Sequence, residues 1–246
     1  MATPTPPQES GLALLGRLAT RPGVQQVLGP LDSGREVVGV TVVDPEDSET
    51  VLEVFLREVV CRVVLPLVVG RGGREVEVGG CGAGVVWLDC DHRTKVRDLA
   101  ELLGRKVKKA AEAHYQRLPK HRREERLTSG QQWEVVKEAL QRVTVLRAYS
   151  KEELELSLHW LPSLLEQQPN TSCVLLTGIT SFFHQARAAG GASLRTHVSR
   201  LLARVEGVTR EWGVRLVYSQ HMLFGSRGLS RLVIYFLVVN DYTRYS

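Results

Sequence analysis

"VTVVDPEDSETVLEVFLREVV" (residues 40–60) decides how the rest of the chain is read. A β-branched apolar run leads into a short polar turn. Apolar residues at 51, 52, 54, 55, 56, 59 and 60 then form a wide helical stripe. Strand, turn and helix in this order are the outline of a phosphate-binding loop. Such a loop needs glycines whose backbone N–H groups curl round a phosphate, a Lys to neutralise it and a Ser or Thr to hold Mg²⁺. The turn "DPEDSET" (44–50) offers none of these in register and carries Asp44, Glu46, Asp47 and Glu49 instead. A like-charge contact about 4 Å long at a protein surface costs on the order of 4 kcal/mol before screening. The turn therefore repels a polyphosphate. The same residues suit a helix start, with Asp47 or Ser48 as cap and acidic side chains at the positive end of the helix dipole. Either a carboxylate occupies the place of an anionic ligand, or this is a plain acidic turn; both readings deny nucleotide binding here.

Outward from this stretch, apolar runs alternate with helical patterns. The predicted strands are 35–44, 83–91, 143–150, 172–180, 214–223 and 230–241. The predicted helices are 10–21, 50–65, a segment ending near Tyr115, 132–143, 151–168 and 193–213. Ser150 suits an N-cap with Glu153 at the capping-box position, and Gly213 can stop the last helix. The glycine-rich 68–84 reads as a hairpin or flexible connection, and 116–130 as a loop. Continuous apolar strands between helices predict an α/β fold with a largely parallel sheet covered on both faces. Ligands of such sheets bind beyond the carboxyl ends of the strands, which directs attention to 44–50, 89–93, 177–184 and 219–224.

Two hundred and forty-six residues suit one sizeable α/β domain better than two small ones. The 43% apolar and 24% charged content is that of an ordinary soluble protein, and the most apolar run, 60–70, is broken by Arg62 and Pro66. The polar, proline-rich start has no secretion-signal pattern. Cys61, Cys81, Cys90 and Cys173 lack CxxC spacing, so reduced thiols of the cytosol or nucleus are expected rather than a zinc site or disulfides. The net charge of +5 is local: segment 105–126 carries +6 and the remainder about −1.

At the other strand ends, Asp89 and Asp91 are paired carboxylates that could bind a metal or orient a water, or else form a turn with Asp91 capping the next helix. Thr177 and Gly178 follow an apolar strand where a Mg²⁺-binding Asp would be expected. Gln220 and His221 end a later strand as ligand-sensing groups or as a solvated end.

Taken in order, "ESGLALLGRL" (9–18), "DPE" (44–46) with "REVVCRVVLP" (57–66), "VVWLDCD" (85–91), the run 151–180, "GG" (190–191) and "VRLVYSQ" (214–220) carry a resemblance over most of the chain. It resembles the eukaryotic recombinase paralogues of the RecA superfamily, those of X-ray-repair cross-complementing type in particular. The resemblance implies a RecA-like P-loop ATPase core as a single domain over 10–246. A disordered lead, 1–9, precedes it, the family's amino-terminal helical domain is missing and a basic loop is inserted at 116–130. The family's loop reads GPEGTGKT. Against it Asp44, Asp47 and Glu49 replace glycines, Pro45 and Glu46 are kept, Ser48 stands for the first Thr, Thr50 takes the Lys position and Val51 the last Thr position. The Mg²⁺ position falls on Gly178, the catalytic carboxylate on Asp91 and the later Gln on Gln220.

From this follows the expectation of a non-catalytic pseudo-ATPase subunit without cofactor or metal. It would dock on other recombinase paralogues in a nuclear hetero-oligomeric complex and support homologous-recombination DNA repair and meiosis. Residues 9–21, 44–50, 89–92 and 220–224 are candidate docking segments. A second expectation is single-stranded DNA binding by the basic segment, through Lys106, Lys108, Lys109, Arg117, Lys120, Arg122, Arg123 and Arg126. Arg227 and Arg231 join these by analogy with the family. A third is a weakly active DNA-dependent ATPase.

Overall fold

The computed structural model describes residues 37–42, 48–70, 75–117, 127–188, 193–221 and 232–235. The lead 1–9, the predicted helix 10–21, the turn residues 44–47, most of the basic loop and the "GG" at 190–191 lie outside the described residues.

Six strands form one sheet: β1 (Val37–Val42), β4 (Gly84–Asp89), β5 (Val143–Arg147), β6 (Thr171–Thr177), β7 (Arg215–His221) and β8 (Leu232–Tyr235). Their order is β5-β4-β6-β7-β1-β8. All neighbours pair in parallel except β8, which runs antiparallel on β1. The glycine-rich stretch forms a two-strand antiparallel hairpin, β2 (Val68–Val69) and β3 (Val76–Glu77), as one of its two predicted readings has it.

The helices are α1 (Ser48–Val64), α2 (Val96–Arg117), α3 (Ser129–Gln141), α4 (Lys151–Gln167), the short α5 (Phe183–Ala188) and α6 (Leu194–Glu211). Connections from β1 to β4 and from β4 to β5 move one way across the sheet; those from β5 to β6 and β6 to β7 move back. Right-handed crossovers must then place the two sets of helices on opposite faces. The core has that arrangement. Trp87, Cys173, Leu175 and Val217 pack with Leu52 and Leu56 of α1, Leu99 and Leu103 of α2 and Val136 of α3. The alternate residues Val86, Leu88, Val174, Leu176 and Leu216 pack with Leu158, Leu161 and Leu165 of α4 and Leu201 and Val205 of α6. This period of two, read on strands buried on both faces, is why their sequences are apolar without interruption. Each fully buried leucine, such as Leu161, contributes about 1.5–3 kcal/mol by leaving water.

Local signals set the boundaries. Thr128 and Gln131 form a reciprocal capping box that starts α3 three residues before the expected 132. Ser150 caps α4, its Oγ accepting the Glu153 N–H at 3.1 Å. Glu153 departs from the expected box: its Oε2 accepts the Tyr149 N–H at 2.8 Å, one residue before the cap. Gly213, at φ 61°, ends α6 as expected. No described helix is long and apolar enough to cross a membrane.

Candidate functional site: the carboxyl edge of the sheet

Strands β4 and β6 are adjacent, yet the chain leaves them toward opposite faces and in opposite directions. That is a topological switch point, where open α/β sheets form a crevice for ligands. A small cavity of ≈ 20 Å³ lies at this edge beside the first turns of α1. Leu52, Glu53, Arg57, Trp87, Asp91 and Thr177 are among its walls.

The polar groups of this edge are already engaged with one another. Arg57 pairs with Glu53 on its own helix and with Asp98 of α2, at 3.4 Å. Asp89 is fully buried; its Oδ2 accepts the Thr94 N–H at 3.2 Å and lies 3.6 Å from Arg147 Nε. Arg147 also donates to the Thr94 carbonyl at 2.8 Å, which ties the loop after β4 to the end of β5. The Thr177 hydroxyl accepts the Trp87 indole N–H at 3.2 Å.

Asp89 and Asp91 come together as the sequence suggested, as a hydrogen-bonded carboxyl pair. The bond requires a proton on one of them. Burial, then the bond to Asp89 and its charge, push Asp91 up to about 6, against a smaller pull from Arg93. Burial works to raise Asp89 too, but the bonds from Asp91, Thr94 and the His92 backbone outweigh it and hold Asp89 below its ordinary value. Asp91 thus faces Asp89, and α2 begins only at Val96. No group of three or more His, Cys, Asp or Glu able to hold a metal ion occurs among the described residues.

Gly178 lies directly after β6, at φ 70°. A Cβ there would stand 2.6 Å from Ser181 Oγ and 2.9 Å from both Cβ and N of Asp91. The position read from sequence as a missing metal ligand is one where backbone and packing exclude a side chain.

The remaining expected residues divide. Asp44, Pro45, Glu46 and Asp47 lie outside the described residues; Ser48, Glu49, Thr50 and Val51 form the first turn of α1. Gln220 and His221 stand in the last two positions of β7, opposite Thr41 and Val42 of β1. Lys106 is drawn into an ion pair with Glu58 that joins α2 to α1. Lys108 lies 4.0 Å from Glu112, and Lys109 and Arg117 are exposed on α2. Lys120, Arg122, Arg123, Arg126, Arg227 and Arg231 lie outside the described residues. The four cysteines are free thiols. Burial pushes Cys61, Cys90 and Cys173 up to about 12, so they hold no thiolate near neutrality.

One feature had no sequence signal. His92, at φ 58°, stacks on Tyr149 with ring centroids 4.2 Å apart and planes 13° from parallel. The residues sit after different strands, and no local pattern links them.

The chain matches no protein-family model and no curated protein sequence.

Proposed function

We propose that this chain is a RecA-like, non-catalytic subunit that docks on other recombinase paralogues in a nuclear complex serving homologous-recombination DNA repair. The fold-level support is a mostly parallel α/β sheet whose strand-end crevice lies where such folds bind nucleotides. The family assignment rests on the order of the resembling stretches named above.

The observation that carries the non-catalytic part is the occupancy of the crevice by the protein's own paired charges. Arg57 is committed to Glu53 and Asp98, and Arg147 to Asp89. Gly178 cannot present a carboxylate without displacing Asp91. A polyphosphate entering there would have to break the pairs of Arg57 and meet Glu53 and Asp91, with Arg93 the one other cation in the lining and no lysine there. A core that keeps its packing while its chemistry is gone suits a docking role.

Titration of the purified chain with Mg·ATP, followed by calorimetry, tests this. No binding is expected up to about 1 mM, the upper end of ordinary substrate affinities. Replacing Asp44, Asp47 and Glu49 with Gly and Thr50 with Lys should produce measurable heat with inorganic triphosphate. Saturable Mg·ATP binding by the unaltered chain would overturn the reading. Co-expression with candidate recombinase paralogues tests the docking part, through a complex that survives size-exclusion chromatography.

A further inference from the structure

A second space lies between the C-terminal half of α2 and the start of α3, and shares no wall with the strand-end cavity. It measures ≈ 420 Å³, a volume usual for small-molecule sites. Lys108, Tyr115 and Gln116 of α2, then Leu127, Ser129 and Gln132, line it. Its floor is fixed from beneath. Ala111 and Tyr115 are buried with Val76 of β3, and Leu127 packs on them. The Tyr115 hydroxyl accepts the Leu127 N–H, and the Gln132 side-chain amide donates to the Leu127 carbonyl at 3.2 Å. Thr128 and Gln131 lock the first turn of α3 through their capping box. Both walls therefore keep their places without a ligand, and binding costs little ordering.

The rim is polar and unequal in charge. Lys108 stands 4.0 Å from Glu112, at the outer limit of an ion pair, and 68% and 60% of the two side chains are exposed. Such a pair contributes little and exchanges readily for a ligand. The Ser129 hydroxyl and the Gln116 amide make no hydrogen bond among the described residues. Segment 105–117 carries five Lys or Arg against Glu112 alone, and the first turn of α3 carries no acid. The local field therefore favours an anion. Glu112, close to Lys108, disfavours a second negative charge and with it a polyphosphate. A metal ion would lack ligands, since Glu112 is the one carboxylate among the described lining residues. The apolar floor of Ala111, Tyr115 and Leu127 suits a body of rings.

We propose that the α2–α3 cleft is a binding site for a small organic monoanion with an apolar ring body, an aromatic carboxylate by chemical class. The ring rests on Ala111, Tyr115 and Leu127, and the carboxylate meets Lys108 and the Ser129 hydroxyl. This inference does not rest on the function proposed above, whose tests read nucleotide binding and complex formation.

Saturation-transfer NMR of the full chain with naphthoate tests the cleft. Saturable binding is expected, with a Kd of about 0.1–1 mM for a ligand of this size. Naphthamide has the same shape without the charge and should bind about ten-fold more weakly. Acetate, which has the charge without the ring body, should show no saturable binding. Lys108→Ala should weaken naphthoate about ten-fold, while Lys108→Arg keeps most of the affinity. Ala111→Leu fills the floor and should abolish saturable binding. Three results would each overturn the proposal: no saturable naphthoate binding by the unaltered chain, naphthamide bound as tightly as naphthoate, or parental naphthoate affinity in Lys108→Ala. If Ala111→Leu melts early, Lys108→Ala, a change at an exposed position, decides.

Discussion

Gly178→Asp is expected to destabilise the chain by about 3 kcal/mol and to create no Mg²⁺ site. The substitution restores the residue type that the RecA-like pattern would place there, so a simple loss-of-site account predicts a partial repair. The structure predicts damage for two reasons that add. A φ of 70° disfavours any residue with a β-carbon, and the new Cβ would meet Ser181 and Asp91 at 2.6–2.9 Å. Ser181 Oγ can rotate aside, but Asp91 does not yield cheaply: one of its close atoms is the backbone nitrogen. A third carboxylate beside Asp89 and Asp91 also adds like charge where the charge of Asp89 already raises Asp91. For a chain of this size, about 3 kcal/mol lowers the melting temperature by about 6–12 °C. Gly178→Ala should show most of the loss, since the Cβ is its main source. Melting with and without Mg²⁺ separates the accounts: parental stability, or a metal-dependent rise in Gly178→Asp alone, would mean that the strand end can still accept a ligand carboxylate.

Position 178 also marks the limit of what could be read without coordinates. The pattern rules found the strand, because apolar runs are local, but ran it over 172–180, past its end at Thr177. They could not report φ, nor that Asp91, carried by a different strand, occupies the space a side chain would need. The same boundary divides other elements. Ser150 was legible as a cap because capping depends on residues three apart. Glu153 bonding past the cap to Tyr149 depended on side-chain direction, which spacing does not encode. Strand and helix placement over 84–177 was legible because both sheet faces are buried and leave no polar interruptions. Asp89 and Asp91 were legible as neighbours, but Asp91 was expected either as a ligand or as a helix cap. Its partnership with Asp89 follows from the turn at His92, which no residue preference announces. Pairing of His92 with Tyr149 needed the parallel contact of β4 with β5, a long-range fact.

The Asp89–Asp91 pair should make the stability of the chain fall as pH rises from about 4 to 7. The Asp91 carboxyl lies at about 6 in the folded chain against an ordinary 3.8, raised by burial, by its bond to Asp89 and by that residue's charge. A group raised on folding contributes stability that is complete below its unfolded value and is lost as pH rises through the folded one. Asp89 is shifted the opposite way, so its contribution is present above its ordinary value and is lost only as the medium becomes more acid than that. The window from about 4 to 7 therefore belongs to Asp91. One pKa unit corresponds to about 1.4 kcal/mol, and with Arg93 and solvent screening part of the charge, roughly 2 kcal/mol should be lost across the window. Asp91→Asn supplies an amide N–H to Asp89 at every pH without adding charge. That variant should flatten the dependence and, at pH 7.5, exceed the parent by roughly 1–2 kcal/mol. Urea unfolding of both chains at half-unit pH intervals reads this directly. If Asp91→Asn is the less stable at pH 7.5 and retains the slope, Asp91 is not the group that titrates over this window, and Arg93 and Arg147 offset its charge in the folded chain instead.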